Sequence, residues 1–344
     1  MKKKFLAVLS CGLAATFLFG CSNNASQKAE TTAAQTEAAK ESQKPSEETA
    51  EKTGTDTASE GGMTFGVTYW IESDFFKTVA DSITKAAEAE GNKTVVVDAQ
   101  QDSTKQLQVV EDFIAQDVDA VFLNPVDKDA IEPALQKLDE AGIPVVNFDS
   151  AVGNLDLVDA YVATDNIQAG KLCGEAMLKD FPDGGKIAVL NYPANSACVD
   201  REKGFLETIE GKGFEIVETF DAEGTVEKGQ NITSDILQAH PDLDAIFSIN
   251  DQAGMGAYAA CMTSGADVAI YGVDGAPEAK QVIAKEGSIY QMTAAQSPIK
   301  IGTQCYETVK GILAGQEPEQ FQIDVPAFAI DSENIAEYLN AGWQ

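Results

Sequence analysis

From residue 64 onward the chain alternates short β-branched runs with amphipathic stretches, and this alternation admits few folds. The spacing predicts strands at 64–70, 94–98, 120–123 and 143–148. Between them lie a helix over 74–90, with Phe76, Val79, Ile83 and Ala87 on one face and Gly91 as a stop, and a helix over 104–116 carrying Leu107, Val110 and Ile114. A third helix carries Ile131, Leu135 and Leu138 and ends at Gly142. The segment 158–165 has no helix before it, and strands then resume at 186–190, 215–220, 245–249, 268–273 and 288–293. Helices are expected at 167–178, 201–210, 229–238, 255–264, 278–285 and 298–313, followed by a strand near 321–323 and a short helix at 333–340. Strands this continuously apolar are covered on both faces, and intervening helices make consecutive strands parallel. The 344 residues exceed the roughly 250–300 at which a single core stops growing, so the expected fold is α/β with two similar lobes, each a doubly wound parallel sheet flanked by helices.

The first 62 residues belong to neither lobe. Lys2, Lys3 and Lys4 precede an apolar run over 5–19, the layout of a secretory signal and too short for a spanning helix. It closes in Leu18-Phe19-Gly20-Cys21, which resembles the bacterial lipobox, although Phe19 stands where a small or β-branched residue is preferred. Residues 1–20 are therefore expected to be cleaved and Cys21 to be diacylated, holding the protein to a membrane. Residues 22–62 contain no Leu, Ile, Val or aromatic residue and cannot build a core, so 21–62 reads as a lipidated cysteine and flexible tether. Cys173, Cys198, Cys261 and Cys305 have no metal or redox spacing and are expected as buried thiols without a disulfide. The 55 acidic residues against 24 basic ones, a formal charge of -31, exclude nucleic acid as a partner.

In open α/β sheets ligands bind beyond the carboxyl ends of the strands. The residues there are Tyr69 and Trp70, Asn124, Asp149, Tyr192, Asn250 with Asp251, Asp274 and Gln296. Amides and carboxylates can pair with adjacent hydroxyls while aromatic faces cover the C–H face of a sugar ring, so this set suits a polyol.

Several segments carry a wider resemblance: Asp74-Phe75-Phe76, Val121-Phe122-Leu123-Asn124-Pro125, Val146-Asn147-Phe148-Asp149, Asp200-Arg201-Glu202-Lys203-Gly204-Phe205, Asn250-Asp251 and Tyr271-Gly272-Val273-Asp274-Gly275. With Thr164-Asp165-Asn166, His240-Pro241-Asp242 and Gln296, their order and spacing from residue 63 to about 330 resemble the ribose-type branch of periplasmic sugar-binding proteins that feed ABC importers. The resemblance implies a type I periplasmic-binding-protein-like fold with a three-crossing hinge, the lobes being 63–164 plus 297–324 and 165–296 plus 325–344. It implies that Phe75 and Phe76 face the sugar, and that Asn124, Asp149, Arg201, Asn250, Asp274 and Gln296 hydrogen-bond its hydroxyls. Where ribose binders carry Asn, Arg and an aromatic residue this chain has Ser73, Ser150 and Gly224, so the sugar is expected to be a hexose or modified sugar rather than ribose, with Tyr69, Trp70 and Tyr192 supplying replacement stacking. A monomer that delivers its sugar to an ABC permease follows, with no metal and no cofactor.

A carboxylate pair from Asp149, Asp251 and Asp274 could serve a glycosidase, but the chain has one histidine, His240, and lacks HExxH, GxxxxGK[ST], CxxC and GxSxG motifs. No enzyme is expected. A sensor that presents its liganded form to a membrane receptor needs the same closure and is the alternative.

Overall fold

In the computed structural model, residues 62–344 are described; the expected signal, the lipidated Cys21 and the tether up to residue 61 lie outside them. Two six-stranded sheets organise the rest. The first is built from β1 (Thr64–Tyr69), β2 (Lys93–Asp98), β3 (Ala120–Leu123), β4 (Val145–Phe148), β5 (Ala160–Thr164) and, from much later in the chain, β11 (Gln322–Val325). Its order is β11-β5-β4-β3-β1-β2 and every pairing is parallel. Helices α1 (Asp74–Ala89), α2 (Ser103–Ala115) and α3 (Glu132–Ala141) connect its early strands.

The second sheet contains β6 (Gly185–Asn191), β7 (Phe214–Asp221), β8 (Ala245–Ser248), β9 (Ala269–Asp274), β10 (Tyr290–Ala295) and β12 (Phe328–Asp331), in the order β12-β10-β9-β8-β6-β7. Its helices are α4 (Asn166–Asp180), α5 (Ser196–Ile209), α6 (Val226–Ala239), α7 (Asp251–Ser264) and α8 (Pro277–Ile283). The sequence pattern did not disclose β12, which pairs antiparallel to β10. A four-residue strand entered directly from the other sheet has no helix before it, so the alternation that revealed the others is silent there.

The central strands of each sheet are buried on both faces, as their continuous apolar pattern requires, while the edge strands β2 and β7 are largely exposed or half-buried. In the first, Phe65, Val67, Phe122, Val146 and Phe148 pack toward α1 and a late helix, α9 (Pro298–Leu313), while Val121, Leu123 and Val145 point the opposite way toward α2 and α3. This alternation of side chains along a strand turns a continuous apolar run into two cores.

The chain passes between the sheets three times: from β5 into α4, from β10 into α9, and from β11 into β12. The crossings are bonded to one another. Thr164 donates to Gln296 Oε1 at 2.7 Å, the Asp165 amide to Val325 at 2.9 Å, and the Ala327 amide to Gln168 Oε1 at 3.0 Å.

After α10 (Ile335–Tyr338) the last residues reach across as well. Buried Lys280 of α8 donates to the Gly342 carbonyl and the Gln344 side chain, while the Ile299 amide of α9 donates to the Gln344 carbonyl at 3.2 Å. Trp343 sits edge-on to Phe75 of α1, with ring centroids 5.5 Å apart.

The starts of α5 and α7 lie a full turn or more earlier than the periodicity indicated. Helix α5 begins at Ser196 behind the cap Asn195, and α7 at Asp251 behind the cap Asn250. Their first turns hold small and polar residues, which carry no hydrophobic period, and the capping side chains are the signal.

Candidate functional site

In each sheet the strand order reverses at one place, between β1 and β3 in the first and between β6 and β8 in the second. Ligand crevices form beyond the carboxyl ends of strands at such switch points. The two reversals face one cavity of ≈ 230 Å³. From the first sheet Trp70, Ser73, Phe75, Phe76 and Asp149 line it; from the second, Arg201, Asn250, Asp274 and, on the hinge, Gln296.

The apolar wall is a linked set of rings. Phe75 and Phe76 meet edge to face with centroids 5.2 Å apart, Trp70 meets Phe76 at 6.2 Å, and Tyr69 stacks on the far side of that group, parallel to Phe76 at 6.0 Å. Tyr69 belongs to the core and does not line the cavity. Ser73 caps α1 by accepting from the Phe76 amide at 3.3 Å, which fixes where both phenylalanines leave the helix.

The polar wall centres on Arg201, only 4 % exposed. Its Nε donates to Asn166 Oδ1 at 2.8 Å, and Nη1 donates to the Ile249 carbonyl at 2.9 Å and to Asp274 Oδ1 at 3.0 Å. Nη2 has no protein acceptor among the described residues. The guanidinium is held in place because α4 and α5 touch backbone to backbone: a Cβ on Gly170 would stand 1.9 Å from the Arg201 carbonyl, and one on Gly204 2.1 Å from that of Ile167. Gln296 donates to the same Asp274 oxygen at 2.8 Å, tying the hinge to the site.

Asp149 and Asp274 both adopt positive φ, 63° and 137°, backbone that side chains other than glycine's rarely take. Such strain persists where the surroundings over-determine it, and it aims both carboxylates out of their strand ends. Asn124 stands behind Asp149 rather than at the cavity wall, donating to Asp149 Oδ2 at 3.3 Å and to the Phe148 carbonyl at 3.1 Å. Ser150 also donates to Asp149 Oδ2, at 3.1 Å, and lines an adjoining cavity instead.

Burial raises the Asp149 carboxyl to about 6 despite Arg201 and the hydrogen bond from Ser150. Burial likewise raises Asp274, opposed chiefly by Arg201. Behind it Asp251, proposed from sequence for the strand end, is fully buried and accepts from Tyr290 at 2.7 Å and Thr293 at 3.0 Å. It supports the site from within the core. For Arg201 burial opposes the charge, but Asp274 and its neighbours hold it above its ordinary value.

Asn250 lines the cavity and caps α7: its Oδ1 accepts from the Ala253 amide at 3.0 Å, and its Nδ2 donates to the Gly224 carbonyl at 2.9 Å. Gln101, Tyr192, Asn195, Glu223 and Gln252 are among the other residues of the wall. Gln101 and Glu223 follow the edge strands β2 and β7, so the strand-end rule could have found them too. Cys198 also lines the cavity, its thiol pushed up by burial to about 12, and Cys173, Cys261 and Cys305 are buried and unpaired. Carboxylates that accept, a guanidinium and amides that donate, and rings across from them can hold a ring bearing adjacent hydroxyls.

Known proteins share this arrangement of sheets. The periplasmic binding protein domain matches residues 65–317. The ribose import binding protein of Bacillus subtilis (strain 168) is 34% identical over 251 residues, 73% of this chain and 81% of its own length. That of Salmonella typhimurium is 31% identical over 74% of this chain and 86% of its own. An ABC transporter solute binding protein from Bacillus halodurans C-125 with bound myo-inositol superposes with a TM-score of 0.76 at 27% identity, covering 82% of this chain and 99% of that one. With the family domain spanning most of the two-sheet region and relatives aligned over most of their lengths, the chain belongs to the periplasmic binding protein family.

Proposed function

We propose that the protein is an extracytoplasmic solute-binding component of an ABC importer, capturing a monosaccharide, pentose or hexose, between two closing lobes. The observation that carries this reading is the Arg201–Asp274–Gln296 network lining one cavity with Asp149 and the rings of Trp70, Phe75 and Phe76. The lobes are residues 63–164 with 297–324 and residues 165–296 with 325–344; the passage of the chain between two sheets supports this division. Relatives named for ribose import, and a neighbour of similar fold holding a cyclic polyol, support both the solute class and the transport role over a sensor.

Charge narrows the solute further. Glu72, Asp149, Glu223 and Asp274 line the cavity against one cation, Arg201, which disfavours sugar phosphates and uronates. The cavity binds and releases its solute unchanged. The protein acts as a monomer, exported and held to the membrane through lipid on Cys21, with no resident cofactor or metal.

Isothermal titration of the purified chain with pentoses, hexoses, myo-inositol, sugar phosphates, amino acids and nucleosides tests the reading. One neutral sugar or cyclitol is expected to bind selectively. Binding confined to amino acids, nucleosides or phosphates would overturn it. For the anchor, Cys21→Ala is expected to move the protein from the detergent phase to the aqueous phase on partitioning.

A further inference from the structure

A second cavity of ≈ 240 Å³ adjoins the first and shares three of its walls, Trp70, Tyr192 and Asn195. It too lies between the sheets, with 125–129 and 150–151 on one side and 192–196 on the other. Resting on the sugar-binding reading above, we propose that the protein takes an uncharged glycoside, with the sugar ring in the first cavity and its substituent, a second ring or an aglycone, in the second.

The boundary between the cavities is thin. Asn195 Nδ2 donates to Ser150 Oγ at 3.3 Å, and Ser150 donates in turn to Asp149, which lines the first cavity. A hydroxyl-length side chain and one long hydrogen bond separate the two spaces, and an ether oxygen joining two groups can accept the proton that Asn195 now gives to Ser150. Trp70 and Tyr192 line both spaces, so an aromatic surface runs past the boundary, which suits a second ring or an apolar group. Volume agrees: each cavity alone falls below the roughly 300 Å³ at which sites for larger ligands begin, and together they exceed it.

The chemistry of the extension follows from charge. Asp127 and Asp129 outnumber Lys128, and Lys128 is already paired with Asp129 at 2.8 Å. Asp127 accepts from the Asp129 and Ala130 amides, which holds its carboxyl below the usual range and keeps it ionised. An anionic group would meet net negative charge, so an anionic extension is disfavoured.

The test titrates the full chain with D-ribose, D-allose, D-galactose and D-glucose and with the methyl and phenyl β-glycosides of each. Expected is a phenyl glycoside that binds at least about tenfold more tightly than its free sugar. Ala151 and Ala194 line only the second cavity, and Ala194 is exposed, so a phenylalanine there fills space with little demand on the core. Ala151→Phe or, where that variant folds poorly, Ala194→Phe is expected to abolish the glycoside's advantage while leaving the free-sugar Kd within about threefold. Free sugar that binds as tightly as, or more tightly than, all its glycosides overturns the inference and leaves the transport reading intact. An advantage that survives both substitutions also overturns it. Failure of every sugar and glycoside to bind defeats the sugar reading itself.

Discussion

Replacing Arg201 with alanine isolates the energetics of the site, because one side chain there satisfies three buried acceptors at 2.8, 2.9 and 3.0 Å. The substitution leaves the Asp274 carboxylate buried with amide partners alone and strips a nearby positive charge from Asp149. Breaking a buried pair by removing one partner costs about 3–5 kcal/mol, a large share of a domain's roughly 5–15 kcal/mol. The cost must depend on pH, and the sign is fixed by the carboxyls. In the wild type Asp149 is raised from 3.8 to about 6, so between those values the folded state keeps a proton the unfolded chain has lost. Its stability therefore falls as pH rises through that window, by about 1.4 kcal/mol per unit for one group, and levels off above it. Without Arg201 both Asp149 and Asp274 titrate higher, since it is Arg201 that lowers them. The falling window extends upward, and the variant's deficit is larger at pH 8 than at pH 5. Urea unfolding of both proteins at the two pH values, followed by tryptophan fluorescence, measures it. A deficit below about 1 kcal/mol at pH 8, or an equal deficit at both pH values, would refute the pairing argument.

Ligand affinity should be flat above pH 6 and weaken below it by up to about tenfold per unit, because a sugar hydroxyl donating to Asp149 requires the ionised form; titration calorimetry in buffers of different ionisation enthalpy reads the linked proton release. Gly224→Trp should abolish sugar binding and cost about 1–3 kcal/mol, since Gly224 has φ +63° and a Cβ there would stand 2.9 Å from Asn250 Nδ2; competitive binding and thermal unfolding report the two effects. Trp343→Ala should cost about 2–3 kcal/mol, below the value for a fully buried ring, and should weaken binding through Phe75, which chemical denaturation and calorimetry check together.

The strands and helices were legible because nearly every one lies in a strand-helix alternation whose apolar period survives without tertiary context. The pieces that were missed lack that period. Strand β12 replaces a helical connection with a direct crossing, and the first turns of α5 and α7 are written in caps rather than apolar residues. The site was legible in the same uneven way. Position after a strand indicated Trp70, Asp149, Asn250 and Asp274, and the helix-borne Arg201 came only from its surrounding motif. Residue type could not say which way a side chain turns. Asn124 and Asp251 satisfy the strand-end rule yet face inward, Asn124 to steady Asp149 and Asp251 to join Tyr290 and Thr293. Tyr69 shares a strand end with Trp70, but the alternation of strand side chains sends it into the core.

The late arrival of β11 and β12 bears on how such a chain is made. The edge strand that pairs with β5 is synthesised only after nearly all of the second sheet, and the strand that closes the second sheet comes later still. Neither half can finish its sheet while the ribosome is still at work on the middle of the chain, and pairings this distant in sequence form slowly. A polypeptide of this topology cannot complete either half until its last strands have been made, so the two sheets are finished together.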